Sequence, residues 1–405
     1  MENVSKIVRQ MVPKIIFISL VGLFMNGCRS PSTAPPPLPT LHPPASTLTP
    51  TFTPTATKVV VLMPVVVQSA PKETPTPEMV RTAIPVVTST PKLPPQITLL
   101  FTGVIVPARC VQSAIDARGD ANYIYDEVRD IISSADLAVG TLNTTFSDLS
   151  THTGCIETYV LVSDSRSAVA AALAGFDVMS VATNHIKNCA GASCADNSNR
   201  AFLDTLDNLL ANGIAPVGAG MNLTHALQPV VVEVQGIRFG FVSLGMVEPL
   251  TFAGVDSPGI APLSDMNLHA AISAAREVSD VVIVMPHWGP EDTSDPNSYQ
   301  LHFAEKAVEA GADVVVGNHT HVVQAIQQID GIDVFYGLGN FVFDQNWDLA
   351  HQQGVMLQLH FSGMDYTGYD LIPTHVDGDG TVHIAGPDEA AEVLQRIEQA
   401  SENLR

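Results

Sequence analysis

Three apolar runs in this sequence stop abruptly at clusters of asparagine and histidine, and that recurrence constrains the fold more than any other feature. Val178-Met-Ser-Val-Ala-Thr183 runs into Asn184-His185, Val281 to Pro286 into His287-Trp288-Gly289, and Val314-Val-Val-Gly317 into Asn318-His319-Thr320-His321. Short runs that are apolar throughout read as strands covered on both faces. Further runs of this kind are Ile97 to Phe101, Leu137 to Gly140, Val230 to Val234, Phe239 to Leu244, Val334 to Tyr336 and Val355 to Phe361. Helical periodicity fills the gaps at Ala168 to Leu173, Ala201 to Leu210, Met266 to Val278 and Tyr299 to Ala310. Gly213 and Gly311 stand where such helices end. The expectation is a layered α/β fold.

Ligands collect beyond the carboxyl ends of strands in α/β sheets, so side chains distant in sequence can converge there. His185, His287, His319, His321 and Asn184 together make a ligand set for one divalent transition metal such as zinc, manganese or iron. A single histidine at a strand end is more often a hydrogen-bonded structural residue, so the argument rests on the recurrence and on His319-x-His321. His152, His225, His269, His302, His351 and His375 have no comparable context and read as surface or structural groups.

The first quarter of the chain differs in kind. Lys6, Arg9 and Lys14 precede the apolar run Ile15 to Met25, which is too short to span a bilayer comfortably and reads as an export signal. Met25-Asn26-Gly27-Cys28 then resembles a lipoprotein cleavage box, so residues 1–28 are expected to be a signal peptide ending at a lipidated Cys28. Residues 29–96 are rich in Pro, Thr and Ser and lack the apolar content to offset ordering entropy. They are expected to form a disordered tether, reaching on the order of 200 Å in polyproline II geometry. Val59 to Val67, interrupted by Pro64, is too short to be a second anchor. The folded domain is expected over residues 97–405, outside the cytoplasm and on the cell surface. A formal net charge of -22 repels phosphate backbones, and no Lys/Arg run offsets it, which argues against a nucleic-acid partner.

Four cysteines remain after Cys28, and an even number in an oxidising compartment favours disulfides. Three pairings are possible. Cys189 and Cys194 flank a small loop that can close locally, which leaves Cys110 with Cys155. A zinc site of four thiolates is disfavoured because its CxxC spacing is absent.

Longer motifs add a resemblance. His287-Trp-Gly-Pro-Glu291, then Glu309-Ala-Gly-Ala-Asp-Val-Val-Val-Gly-Asn-His-Thr-His-Val322, then Tyr336-Gly-Leu-Gly-Asn-Phe-Val-Phe-Asp-Gln345 resemble the CapA family of capsule and poly-gamma-glutamate synthesis proteins. Phe176 to His185 and Thr205 to Gly220 resemble that family's earlier blocks. The resemblance implies a metallophosphoesterase-like sandwich of two sheets flanked by helices. It further implies Asn184, His287 and His319 as ligands of one metal, with His321 a ligand of its neighbour. His185 would be the acid that protonates a leaving oxygen, and Glu291 and Asn318 would support the site.

This chain departs from that pattern at the anionic positions. Gly103-Val104 stands where the family usually has Gly-Asp, Thr141-Leu142-Asn143 where a carboxylate usually ends a strand, and Asn188 where an acidic residue follows the asparagine-histidine block. Two dications held about 3.5–4 Å apart need anionic ligands. Asn184, Asn143 and the histidines are then expected to hold one metal, and without a bridging carboxylate the second site should be weak or empty, unless Asp116, Asp120 or Asp148 substitutes. Two functions follow. One is a tethered, catalytically reduced component of envelope-polymer synthesis; the other is a metal-dependent phosphoesterase acting on envelope material.

Overall fold

The computed structural model describes residues 93–195 and 199–405. The expected signal segment, Cys28, the apolar stretch Val59 to Val67 and nearly all of the expected tether lie outside the described residues.

Two sheets face each other. One has eight strands, running in space from Val382–Ile384 through Asp365–Val376, Gln353–Ser362, Gln96–Ile105, Leu137–Leu142 and Val178–Ser180 to Ala215–Val217. The eighth, Asn340–Val342, also pairs with Gln96–Ile105. The other sheet has six strands, in the order Ile326–Ile329, Ile332–Phe335, Val314–Val316, Val281–His287, Ile237–Gly245 and Val230–Val234. Val281–His287 runs parallel to both neighbours, which is why its two faces are apolar and every residue in it is buried.

The space between the sheets is filled from both sides. Leu99, Phe101, Val139 and Leu357 of the larger sheet meet Phe239, Phe241, Ile283 and Val314 of the smaller one. Aromatic contacts span the gap, with Phe101 and Phe241 ring centroids 6.5 Å apart and Phe239 and Phe361 5.2 Å apart. Helices Cys110–Arg118, Ser165–Ala174 and Arg200–Ala211 cover the outer face of the larger sheet, burying Ile115, Ala168, Ala171 and Phe202. Helices Asp265–Val278 and Ser298–Glu309 cover the outer face of the smaller one through Ile272, Ala275, Ala304 and Ala307. The expected sandwich of two sheets between helices is therefore the fold of the described residues.

Several elements exceed the expectation. The first strand continues past Phe101 to Ile105, and the chain closes with the hairpin partner Asp365–Val376 and the helix Pro387–Glu402. Asp365–Val376, next to the sheet's edge strand, is half exposed and rich in polar residues, so it carries no long apolar run to reveal it.

Gly103 marks where the extended first strand passes the segment Leu338 to Asn340. A Cβ at Gly103 would sit 2.2 Å from the Gly339 carbonyl oxygen, a backbone atom with no freedom to swing away. Gly103→Ala is expected to cost about 1–3 kcal/mol through overpacking, and chemical denaturation of the variant checks it.

Candidate metal centre

All of the strand ends singled out in the sequence come to the same end of the sandwich. Val281–His287 delivers His287 as its final residue, and the isolated bridge between His287 and Asn318 extends the pairing one step beyond Val314–Val316. Asn318 then ties the two sheets together: its Nδ2 donates to Thr141 Oγ1 at 2.9 Å, across to the larger sheet.

Beyond Asn318 the chain turns sharply. His319 and His321 have φ of 119° and 61°, in the left-handed region that non-glycine residues rarely occupy. Such backbone persists only where its surroundings impose it, and it is concentrated at functional sites. Both rings stay buried and their centroids lie 6.0 Å apart.

Three donor atoms converge on one point. His287 Nε2 is 2.9 Å from Asn184 Oδ1 and 3.1 Å from His319 Nδ1. On the other edge of His319, its Nε2 and His321 Nε2 each lie 3.9 Å from Glu291 Oε1. Ligand atoms of Glu291, His319 and His321 all fall within 4.8 Å of one another. His319 thus faces both groupings, one with each nitrogen. Two ring nitrogens facing each other at 3.1 Å beside an amide oxygen form a donor set that a cation satisfies, so the residues present fit a transition metal.

Outer partners orient the rings. His321 Nδ1 is 2.9 Å from Asn340 Oδ1, and Asn340 in turn donates through Nδ2 to Gln345 Oε1 and to the His351 carbonyl. With the amide oxygen accepting, Nδ1 carries the proton and Nε2 keeps its lone pair. His185 Nδ1 lies 3.0 Å from Asn188 Oδ1. His287 Nδ1 is buried without a partner.

Electrostatics keep the imidazoles neutral. Burial lowers His319 to about 3 and His321 to about 4, each ring also disfavoured by a neighbouring histidine, while the Asn340 bond partly opposes the shift at His321. Burial lowers His287 and His185 as well, with the Asn188 bond opposing the shift at His185. Glu291 moves upward, first through burial and then through the adjacent Asp292.

The positions expected to lack carboxylates are occupied as follows. Val104 packs in an apolar cluster with Val106, Ala108, Leu161 and Phe343, the last with its ring 5.4 Å from His321. Asn143 is fully buried; its Oδ1 accepts the His185 N–H at 3.0 Å and its Nδ2 has no partner. Asn143 therefore meets the cluster through main chain. Asp116 binds Arg166 and His152, Asp120 accepts from the Asn122 N–H, and Asp148 accepts from the Ser165 N–H, so these substitutes are engaged elsewhere.

Glu291 is the carboxylate that reaches the histidines, which is more than the supporting place expected for it. His351, read from sequence as surface or structural, is buried and holds the loop beside Glu291: its Nε2 is 2.7 Å from Asp292 Oδ1 and its Nδ1 2.8 Å from Asp348 Oδ1. A cleft of about 160 Å³ opens beside the cluster, with His185, Glu291 and His321 on its wall. Both expected disulfides are present. Cys110 is joined to Cys155, four residues before Tyr159, and Cys189, which follows Asn188, to Cys194.

Fold and site together define a two-sheet α/β protein with a histidine-rich cleft at its carboxyl-end rim. Comparison with known proteins gives its family: the model described as bacterial capsule synthesis protein PGA_cap matches residues 98–345, and the chain belongs to that family. PGA biosynthesis protein CapA of Bacillus subtilis (strain 168) is 28% identical over 278 residues, covering 68% of this chain and 70% of that protein. Capsule biosynthesis protein CapA of Bacillus anthracis is 26% identical over 290 residues, covering 69% and 68%. Among solved structures, one described as a novel phosphatase of Mycoplasma pneumoniae superposes with a TM-score of 0.44 at 13% identity, covering 74% of this chain and 98% of that one.

Proposed function

We propose that this chain is a tethered, extracytoplasmic component of envelope-polymer synthesis of the capsule or polyglutamate type. One observation carries the reading: the family match covers residues 98–345, the span that contains Asn143, Asn184, His185, His287, Glu291, Asn318, His319 and His321. Its partners are the polymer or its synthesis machinery, and a membrane reached through a lipid on Cys28.

In this reading the site holds one divalent transition metal through His287, His319 and Asn184, or through His319, His321 and Glu291. When bound, that ion supplies Lewis-acid polarisation of a ligand oxygen. Asn318 keeps the two sheets in register beneath the site, and Asn340 fixes His321 with its Nε2 free. Val104, Asn143 and Asn188 supply no negative charge, which leaves the centre short of what a paired-metal hydrolase needs.

Deleting the gene from its host is expected to lower surface polymer, measured as envelope hexose and acid-released glutamate, with wild-type complementation restoring it. Unchanged polymer would contradict the reading. The second reading, a phosphoesterase acting on envelope material, is favoured by the retained histidine set. It predicts metal-dependent turnover of an aryl phosphate that His185→Ala abolishes.

The anchor has its own test. Fatty-acid labelling of the wild-type chain is expected, and Cys28→Ala should remove it; label that survives the substitution would place the lipid elsewhere.

A further inference from the structure

The cleft beside the histidines has a chemistry that the family match does not specify. Its carboxylates are Glu157, Glu291 and Asp292, and the one cation on its wall is Arg109. That guanidinium is not available to a ligand. It forms a salt bridge to Asp344, donates through Nη1 to the Thr158 carbonyl at 3.2 Å and lies 4.8 Å over the Phe343 ring, with its side chain only 9% exposed. The cleft is therefore acidic on a protein whose net charge is already -22.

Two large aromatic side chains also line it, and both stand out into solvent: Tyr159 is 85% exposed and Trp347 60% exposed. Neither floats on an unsupported loop. The segment before Tyr159 is held by the Cys110–Cys155 disulfide and by Arg109 on Thr158, and the Trp347 ring sits 5.1 Å from that of buried His351. Exposed aromatics on braced segments, in one cleft with three carboxylates, are the chemistry that receives sugar rings. The apolar C–H face of a pyranose stacks on an indole or phenol, and its hydroxyls donate to carboxylate oxygens. A chain bearing a carboxylate at each unit meets like charge at Glu157, Glu291 and Asp292, with no free side-chain cation on the wall, and a single ion held by His319, His321 and Glu291 would answer only one such unit.

We propose that this cleft binds a neutral, hydroxyl-rich glycan chain, with Trp347 and Tyr159 as stacking platforms and Glu157, Glu291 and Asp292 accepting from hydroxyls. The inference rests on the reading of the cleft as an envelope-polymer site and narrows that polymer's class. A polyglutamate contacted by this protein would then be handled away from the cleft or by other components.

The chain contains two tryptophans, and Trp288 is buried with its Nε1 donating to the Tyr336 carbonyl at 2.9 Å. A ligand-induced change in indole emission therefore reports on Trp347. Chitotetraose titrated into the purified full chain is expected to give a saturable change, and tetra-γ-glutamate none, at low and at high salt. By calorimetry Trp347→Ala should weaken chitotetraose binding by at least about tenfold, and Trp347→Phe, which keeps an aromatic face, should retain most of it. Binding of tetra-γ-glutamate, with or without chelator treatment of the protein, would overturn the proposal. So would a lack of response to chitotetraose, or affinity unchanged in Trp347→Ala. The gene-deletion experiment reads polymer in cells, so a failure of the polymer role and a failure of the glycan assignment would be seen separately.

Discussion

Replacing His319 by alanine is expected to empty the protein of transition metal while leaving it folded. Its ring supplies a nitrogen to each donor grouping, with Nδ1 3.1 Å from His287 Nε2 and Nε2 3.9 Å from Glu291 Oε1. No other side chain in the cluster faces both. Losing a mere orienting partner lowers metal affinity by about 10–100-fold, so losing a shared ligand should exceed that range. The substitution keeps a Cβ at φ 119°, which leaves the local strain as it was. Elemental analysis after dialysis checks the metal, and circular dichroism checks the fold. His302→Ala, at an exposed ring paired with Asp265, is the control expected to change neither. Undiminished metal in His319→Ala would show that other residues hold the ion.

A large stability effect is expected from the longer disulfide. Cys110–Cys155 closes a loop of 45 residues. Chain-entropy reasoning gives about 4 kcal/mol for a loop of that size. For a domain this large, that corresponds to a fall in melting temperature on the order of 10 °C. The double substitution Cys110→Ser and Cys155→Ser should show it by calorimetry. The Cys189–Cys194 bridge closes only 5 residues, and its removal should cost clearly less. Equal losses from the two would contradict the entropic account.

The sheet strands and the site were legible in the sequence for the same reason. Buried parallel strands such as Val281–His287 must be apolar throughout, so a polar residue directly after one stands out. That contrast marked His287, Asn184 and His319. What stayed hidden depends on tertiary contact. His351 sits in a polar segment with no apolar run before it, and only folding brings its Nε2 to Asp292. Asn340 lay inside a recognised motif, but its bond to His321 spans 19 residues and has no periodicity to announce it. The reach of Glu291 depends on the turn at Asp292, whose φ is 63° and whose N–H is fixed by the Thr320 carbonyl. The strand Asp365–Val376, second from the sheet's edge and paired with Val382–Ile384 only at its end, was invisible because exposure frees its residues from the apolar pattern.

The central claim is that the loss of carboxylates at Val104, Asn143 and Asn188 has reduced a paired-metal cleft to a single-metal one. Metal stoichiometry of the purified wild-type chain, by inductively coupled plasma mass spectrometry after exhaustive dialysis, tests it most directly. One transition ion per chain is the expected result, rising toward two in Val104→Asp/Asn143→Asp. Two tightly held ions in the wild-type protein, or none, would contradict the account.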